Sequence, residues 1–138
     1  MKSVLVLAAT ALAVSTSFAA AQDASIGAAE YMNSCAQCHG ASGEGNGVIA
    51  GFLTKSPPNL TLLQKENGGV FPFSAVYNTI DGTSASGVHG TSDMPAWGAR
   101  YSAKAGEQLG FDYTGADVEF FARARILALV EFISTFQE

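Results

Sequence analysis

The sequence predicts a small all-α domain with much loop, and three observations carry that prediction. Apolar residues recur at helical spacing over the last two dozen positions. No run alternates apolar and polar residues as a half-buried strand would. The middle of the chain is punctuated by glycine and proline, which end helices and set turns. At 138 residues there is room for one ordinary domain. With 48% apolar and only 14% charged residues, the chain can bury a core and is not a disordered segment.

The elements follow in order. Residues 1–21 read as a secretory signal: Lys2 at the positive end, an apolar run from Val4 to Val14, and Ala19-Ala20-Ala21 as a small-residue cleavage site before Gln22. An uncleaved membrane anchor is the alternative, weakened by Thr10, Ser15, Thr16 and Ser17. Residues 22–138 are then a single domain that is exported and not inserted in a membrane. Residues 25–34 are expected to form a short helix, with Ile26, Ala29 and Tyr31 available for burial. Residues 35–51 are glycine-dense, and Pro57-Pro58 forces an extended segment. Thr61 with Gln64 has the form of a capping box that starts a short helix, which Gly68-Gly69 stop. Pro72 suits the first turn of a helix to about Ile80, closed by Asp81-Gly82. Residues 83–93 form a small-residue loop, and residues 100–113 read as another. Thr114 with Asp117 caps the last helix, whose apolar positions are Val118, Phe121, Ile126, Leu129, Val130 and Ile133, interrupted by Arg125. Phe52, Leu53, Leu60, Leu63, Phe71, Val76, Ile80, Trp97 and Ile126 are the expected core.

Charge narrows the partners. The net charge is −5, and removal of Lys2 with the signal leaves 12 acidic against six basic side chains, a net of −6. Such a surface lacks what phosphate neutralisation requires, so nucleic acid is not an expected partner. Gly43-x-Gly45-x-Gly47 does not follow a strand and is not read as a phosphate loop. Asn59-Leu60-Thr61 is a glycosylation sequon better explained by capping.

The chemistry lies in Cys35-Ala36-Gln37-Cys38-His39. C-x-x-C-H is the attachment motif for c-type haem. Two cysteines three apart can each form a thioether with one porphyrin vinyl group, and the next residue then lies under the ring with an imidazole nitrogen for the iron. A thioredoxin-like redox pair would need a βαβ unit around it. A zinc site would need four ligands, and only Cys35, Cys38, His39 and His89 are on offer. A plain structural disulfide is the third competing reading.

With His39 as one iron ligand, the other axial position decides the function. Met32, Met94 and His89 are available. Met32 lies three residues before Cys35 and cannot easily reach the opposite face of the ring. Met94 lies 55 residues after His39 and is followed by Pro95, which stiffens its loop. His89 stands in the same loop and reads as a solvated histidine or a neighbour of a propionate. Met94 is the expected distal ligand.

On these residues the sequence resembles the class I c-type cytochromes, specifically small periplasmic monohaem members. Cys35-x-x-Cys38-His39-Gly40 matches the haem motif, and Met94-Pro95-x-Trp97-Gly98 the methionine-ligand loop. Gly27 and Tyr31 match the N-terminal helix, Leu129 and Phe132 the C-terminal one. The resemblance implies a cytochrome c-like fold in which these helices cross and wrap one covalent haem c. It implies that a proline carbonyl in Pro57-Pro58-Asn59-Leu60, here assigned to Pro58, accepts a hydrogen bond from His39. The cofactor-binding set is then Cys35, Cys38, His39, Pro58, Met94 and Trp97, with His39 and Met94 on the iron.

The implied function is a periplasmic one-electron carrier and not an enzyme, exchanging electrons with donor and acceptor redox proteins that present basic docking surfaces. It acts as a monomer or as the haem subunit of a larger dehydrogenase or oxidase complex. A haem-based ligand sensor or a peroxidase-like protein with an exchangeable distal site is the alternative.

Overall fold

The computed structural model describes residues 17–83 and 97–138. These residues form six α-helices and two 3-10 turns and contain no strand. The helices are α1 (Ser17–Ser34), α2 (Ala36–His39), α3 (Leu63–Glu66), α4 (Phe73–Asp81), α5 (Trp97–Leu109) and α6 (Gly115–Ser134). The 3-10 turns are Ala50–Phe52 and Leu60–Leu62. The expected all-α fold is therefore the observed one. Among the described residues, no helix is long and apolar enough to cross a membrane.

The long C-terminal helix is the spine of the fold. It starts where the capping signature places it. The Thr114 backbone N–H donates to Asp117 Oδ2 at 2.8 Å, and the Asp117 N–H donates back to Thr114 Oγ1 at 3.4 Å. Ala122, Ile126, Leu129 and Ile133 recur at four, three and four residues, so they share one face, and all are buried. Around this spine pack α1, α5 and α4.

The α1–α6 crossing is governed by shape. Gly27 is buried, and a Cβ there would run into the backbone carbonyl of Ala128 and the Phe132 side chain. Its missing side chain is what lets the two backbones touch. One turn on, Tyr31 is fully buried, with its ring 5.4 Å from Phe132 and 5.7 Å from Phe136. Phe132 and Phe136 meet edge-on at 5.5 Å. Tilted and edge-on aromatic pairs of this kind add to plain burial. The crossing expected from Gly27, Tyr31, Leu129 and Phe132 is present, with Ala128 rather than Leu129 directly against the glycine.

Four expectations need correction. The first helix is already formed at Ser17, the first described residue, ahead of the expected Ser25. Residues 100–113 are mostly helix: α5 buries Trp97, Tyr101 and Ala105, spaced four apart on one face. Its glycines mark close contact. A Cβ at Gly98 would lie 2.8 Å from the Asp81 carbonyl oxygen, and one at Gly106 would lie 2.7 Å from the Tyr113 hydroxyl. Thr61 is not the cap of α3, which follows Leu62 with no side-chain cap. The capping side chain is Asn59, at the 3-10 turn Leu60–Leu62, its Oδ1 accepting from the Thr61 N–H at 2.9 Å and the Thr61 hydroxyl at 2.7 Å. Finally, Phe52 is 88% exposed and Leu53 is also exposed, because they lie on and after a surface 3-10 turn. Ile80, Trp97 and Ile126 are buried as expected, and Leu60, Leu63, Phe71 and Val76 pack half-buried against them.

A charged bridge ties three helices together. Glu30 of α1 accepts from Arg125 of α6 at 2.8 Å and from the Tyr101 hydroxyl of α5 at 3.2 Å. Burial first, and the neighbouring Glu30 charge second, push the Tyr101 hydroxyl well above its ordinary pKa, so it stays a donor.

Candidate functional site

The Cys-x-x-Cys-His motif forms a single helical turn. Backbone bonds from Cys38 and His39 N–H to the Cys35 carbonyl, at 3.1 and 2.9 Å, wind it. Four residues of separation put Cys35 and His39 on one face of that turn. Both are buried and both line the same cleft, while Cys38, one position round, is half-buried.

So short a helix leaves its carbonyls without helical partners, and the glycine-dense loop supplies them. The N–H groups of Gly45, Gly47 and Ile49 donate to the carbonyls of His39, Cys38 and Gln37 at 2.7, 3.1 and 3.1 Å. This demands close backbone approach. A Cβ at Gly47 would strike the Gln37 carbonyl, and one at Gly45 would sit 2.5 Å from the Pro57 oxygen. The Gly43-x-Gly45-x-Gly47 pattern is therefore a cap for the motif, a role that sequence reading did not assign. On the other side of the turn, the Tyr31 hydroxyl donates to the Gly40 carbonyl at 2.8 Å. This link hangs the motif on the α1–α6 crossing.

His39 is oriented from behind. Its Nδ1 lies 3.2 Å from the Pro58 carbonyl oxygen. A carbonyl can only accept, so Nδ1 carries the proton and Nε2 the lone pair. A backbone acceptor on the second ring nitrogen is the arrangement that fixes tautomer and ring angle in metal-ligating histidines. Pro58, rather than Pro57, is the acceptor.

Beyond the ring opens an apolar cleft of about 690 Å³ of empty space, its mouth included. Leu60 and Leu63, then Pro72, Val76 and Ile80, and Ile133 of α6 line it. This is the lining of a small-molecule or cofactor site.

The residues fit a covalent haem. Cys35 and Cys38 are free thiols, not joined in a disulfide. Burial first, then the charges of Glu30 and Cys38, push the Cys35 thiol up to about 12. That is the reverse of the depressed thiol of a redox-active Cys-x-x-Cys pair, and no strand is present in the described residues to build a βαβ unit. Nor do those residues hold a cluster of three or more Cys, His, Asp or Glu side chains fit for a metal ion. What remains is a thiol and an imidazole facing one apolar slot, with a second thiol a turn-step away.

Of the six expected site residues, the structure gathers Cys35, His39 and Pro58 at the cleft, with Cys38 alongside. Trp97 is buried at the start of α5, with the Arg100 guanidinium 4.6 Å over its ring. Met94, with Pro95 and His89, lies outside the described residues. Met32 is about half exposed, as befits a residue not expected to reach iron.

Sequence reasoning missed the chain's last two residues. The Gln137 side chain donates to the Leu60 and Ile133 carbonyls, both at 2.8 Å, and accepts from the Gln64 N–H at 3.0 Å. The Glu138 N–H donates to the Thr61 carbonyl at 2.9 Å, and its carboxylate lies 3.1 Å from the Thr61 hydroxyl oxygen, which shares its one proton between Glu138 and Asn59. No periodicity or motif announces these contacts, because all but the Gln137–Ile133 bond join positions more than 70 residues apart.

A family model, that of cytochrome c, matches residues 24–136. No curated protein and no solved structure matches the chain significantly.

Proposed function

The chain belongs to the cytochrome c family, and from that premise we propose that it is an exported one-electron carrier holding a single haem c. The observation that carries the reading is the Cys35–His39 turn over an apolar cleft, with His39 Nδ1 held on the Pro58 carbonyl. Bound there, haem c supplies reversible exchange of one electron between ferric and ferrous iron.

The chain's own residues set the conditions for that exchange. Cys35 and Cys38 fix the group covalently. His39 presents a lone pair at Nε2 because Pro58 retains the proton on Nδ1. The leucine, valine and isoleucine walls exclude water, which disfavours the extra positive charge of the ferric state. Met94 is the residue proposed as the second iron ligand: its thioether is soft, would favour ferrous iron and would leave no open position for a diatomic ligand or peroxide.

Residues 1–21 direct export to the periplasm, and the exported chain carries a net charge of −6. Donor and acceptor redox proteins with basic faces are drawn to it over about 8 Å at physiological ionic strength.

The test is spectroscopic. Acidified acetone should leave the haem on the protein. Met94→Ala should lose the weak long-wavelength sulfur-to-iron band of the oxidised form and bind carbon monoxide when reduced, whereas His89→Ala should keep the band. Haem that extracts freely sinks the carrier reading. Carbon monoxide binding by the unmutated protein favours a ligand sensor instead.

A further inference from the structure

The His39 ring is only as well fixed as the Pro58 carbonyl behind it. Pro58 has no N–H to anchor itself, so its position depends on its neighbours. Ahead of it, Gly45 passes beneath Pro57 and Pro58 with no room for a side chain. After it comes the 3-10 turn Leu60–Leu62, whose Leu60 N–H donates to the Gly43 carbonyl at 2.7 Å. From the chain's end that turn is held at Thr61 by Glu138 and at Leu60, the residue nearer Pro58, by the side-chain amide of Gln137.

This amide makes three bonds in three directions. Its NH2 group donates to the Leu60 carbonyl and to the Ile133 carbonyl. Its oxygen accepts from the Gln64 N–H. Ile133 belongs to the last turn of α6, where helix carbonyls lack helical partners, and Gln64 to the first turn of α3, where N–H groups do. One side chain thus joins the spine of the fold to the segment that carries the histidine's acceptor. Leu60, Leu63 and Ile133, on or beside the atoms it bonds, line the cleft, while Gln137 itself does not.

We propose that Gln137 is a positioning residue for the haem iron's histidine ligand: by clamping Leu60 and Gln64 to α6, it holds the Pro58 carbonyl on His39 Nδ1. The inference rests on the assignment of His39 as an iron ligand. A carbonyl accepting from Nδ1–H raises the basicity of the ligating nitrogen, which favours ferric iron. Releasing the clamp lengthens that bond, makes the imidazole a poorer donor and raises the reduction potential.

The experiment uses the full haem-loaded chain. Gln137→Met keeps the length but can neither donate nor accept as the amide does. Gln137→Asn keeps the amide, stays neutral and is one methylene too short to span all three partners. Thr135→Ala is the control, since the Thr135 hydroxyl bonds only within its own helix end, to the Phe132 carbonyl at 2.7 Å. Two quantities are read: the midpoint potential, and the solvent exchange of the His39 Nδ1 proton by NMR.

Both Gln137 variants should raise the potential and speed the exchange, Met more than Asn, with Thr135→Ala close to the unmutated protein. If Gln137→Met fails to load haem, the Asn variant decides. Unchanged potential and exchange in the variants, or equal changes in Thr135→Ala, overturn the proposal. A protein whose iron is not bound through His39 shows no haem-shifted imidazole signal at all. That result would overturn the ligand assignment, and the clamp with it.

Discussion

Two regions of this small molecule are held by different physics. Where α1 crosses α6, cohesion comes from shape: a glycine with a backbone against it, a fully buried tyrosine, and two phenylalanines at about 5.5 Å. From Gly40 to Gln64 little is fully buried, and cohesion comes from hydrogen bonds that cap a four-residue helix and seat its histidine. Packing is non-directional and roughly proportional to area, so it suits a part that must simply stay together. Hydrogen bonds are directional, so they suit a part in which one ring nitrogen must face one way. The Tyr31 hydroxyl, buried in the first region and donating to Gly40 in the second, is where the two meet.

This division can be broken from either side. The largest effect is expected from Gly27→Val. Three added carbons have no space beside the Ala128 carbonyl, and a backbone cannot rotate away as a side chain can. Overpacking of this kind should lower stability by about 3 kcal/mol, read as a shift in the midpoint of chemical denaturation. The molecules that remain folded should keep their reduction potential, because nothing at His39 has been touched. A Gly27→Val protein as stable as its parent would remove shape as the account of the crossing.

Gly45→Ala attacks the other region and should show the opposite balance. Gly45 has φ +81, which costs a residue with a side chain about 1–2 kcal/mol, and the new methyl would press on the Pro57 carbonyl. A stability loss of about 2 kcal/mol is expected, smaller than at Gly27. The potential and the His39 Nδ1 proton should nonetheless move, because Pro57 and Pro58 are displaced. If potential follows stability in both variants alike, the two regions are one cooperative unit and the contrast fails.

The same contrast explains what could be read from the sequence. The motif at Cys35–His39 and the box at Thr114–Asp117 were legible because each is local: chemistry or capping within four residues. The helical period of α6 was legible because its buried stripe is long. Helix α5 was not, although Trp97, Tyr101 and Ala105 carry the right spacing, because Gly98, Gly106 and Gly110 read as turn residues. Two of those glycines answer to neighbours that only the fold supplies, Asp81 and Tyr113. Thr61 misled for a subtler reason. Asn59 and Thr61 are both good caps two residues apart, and Asn59 takes the role by accepting from both the Thr61 N–H and the Thr61 hydroxyl, with Glu138 from the far end of the chain beside that hydroxyl.

The smallest effect should come from the cap of α6, and its value lies in where it does not reach. Asp117 is fully exposed, and its carboxyl is held below the ordinary 3.8 chiefly by the hydrogen bond from the Thr114 side chain, then by the Thr114 backbone N–H. A carboxylate whose folded pKa is depressed contributes stability that is present above its unfolded pKa and lost as pH falls through the folded one. The helix N-terminus adds to its preference for negative charge. The stability difference between the parent and Asp117→Asn should therefore be greatest near neutral pH and fade as pH drops below about 4. Salt should shrink it, since water surrounds the pair. Asp117 stands at the opposite end of α6 from Ile133 and Gln137, so the substitution should leave the reduction potential where it was at every pH. Parallel denaturation curves and potentials from pH 7 to pH 3 test both halves of the statement. A difference that stays constant with pH would show that the charge of Asp117 does not hold the cap, and a potential that moves with it would show that α6 transmits strain along its whole length to the histidine.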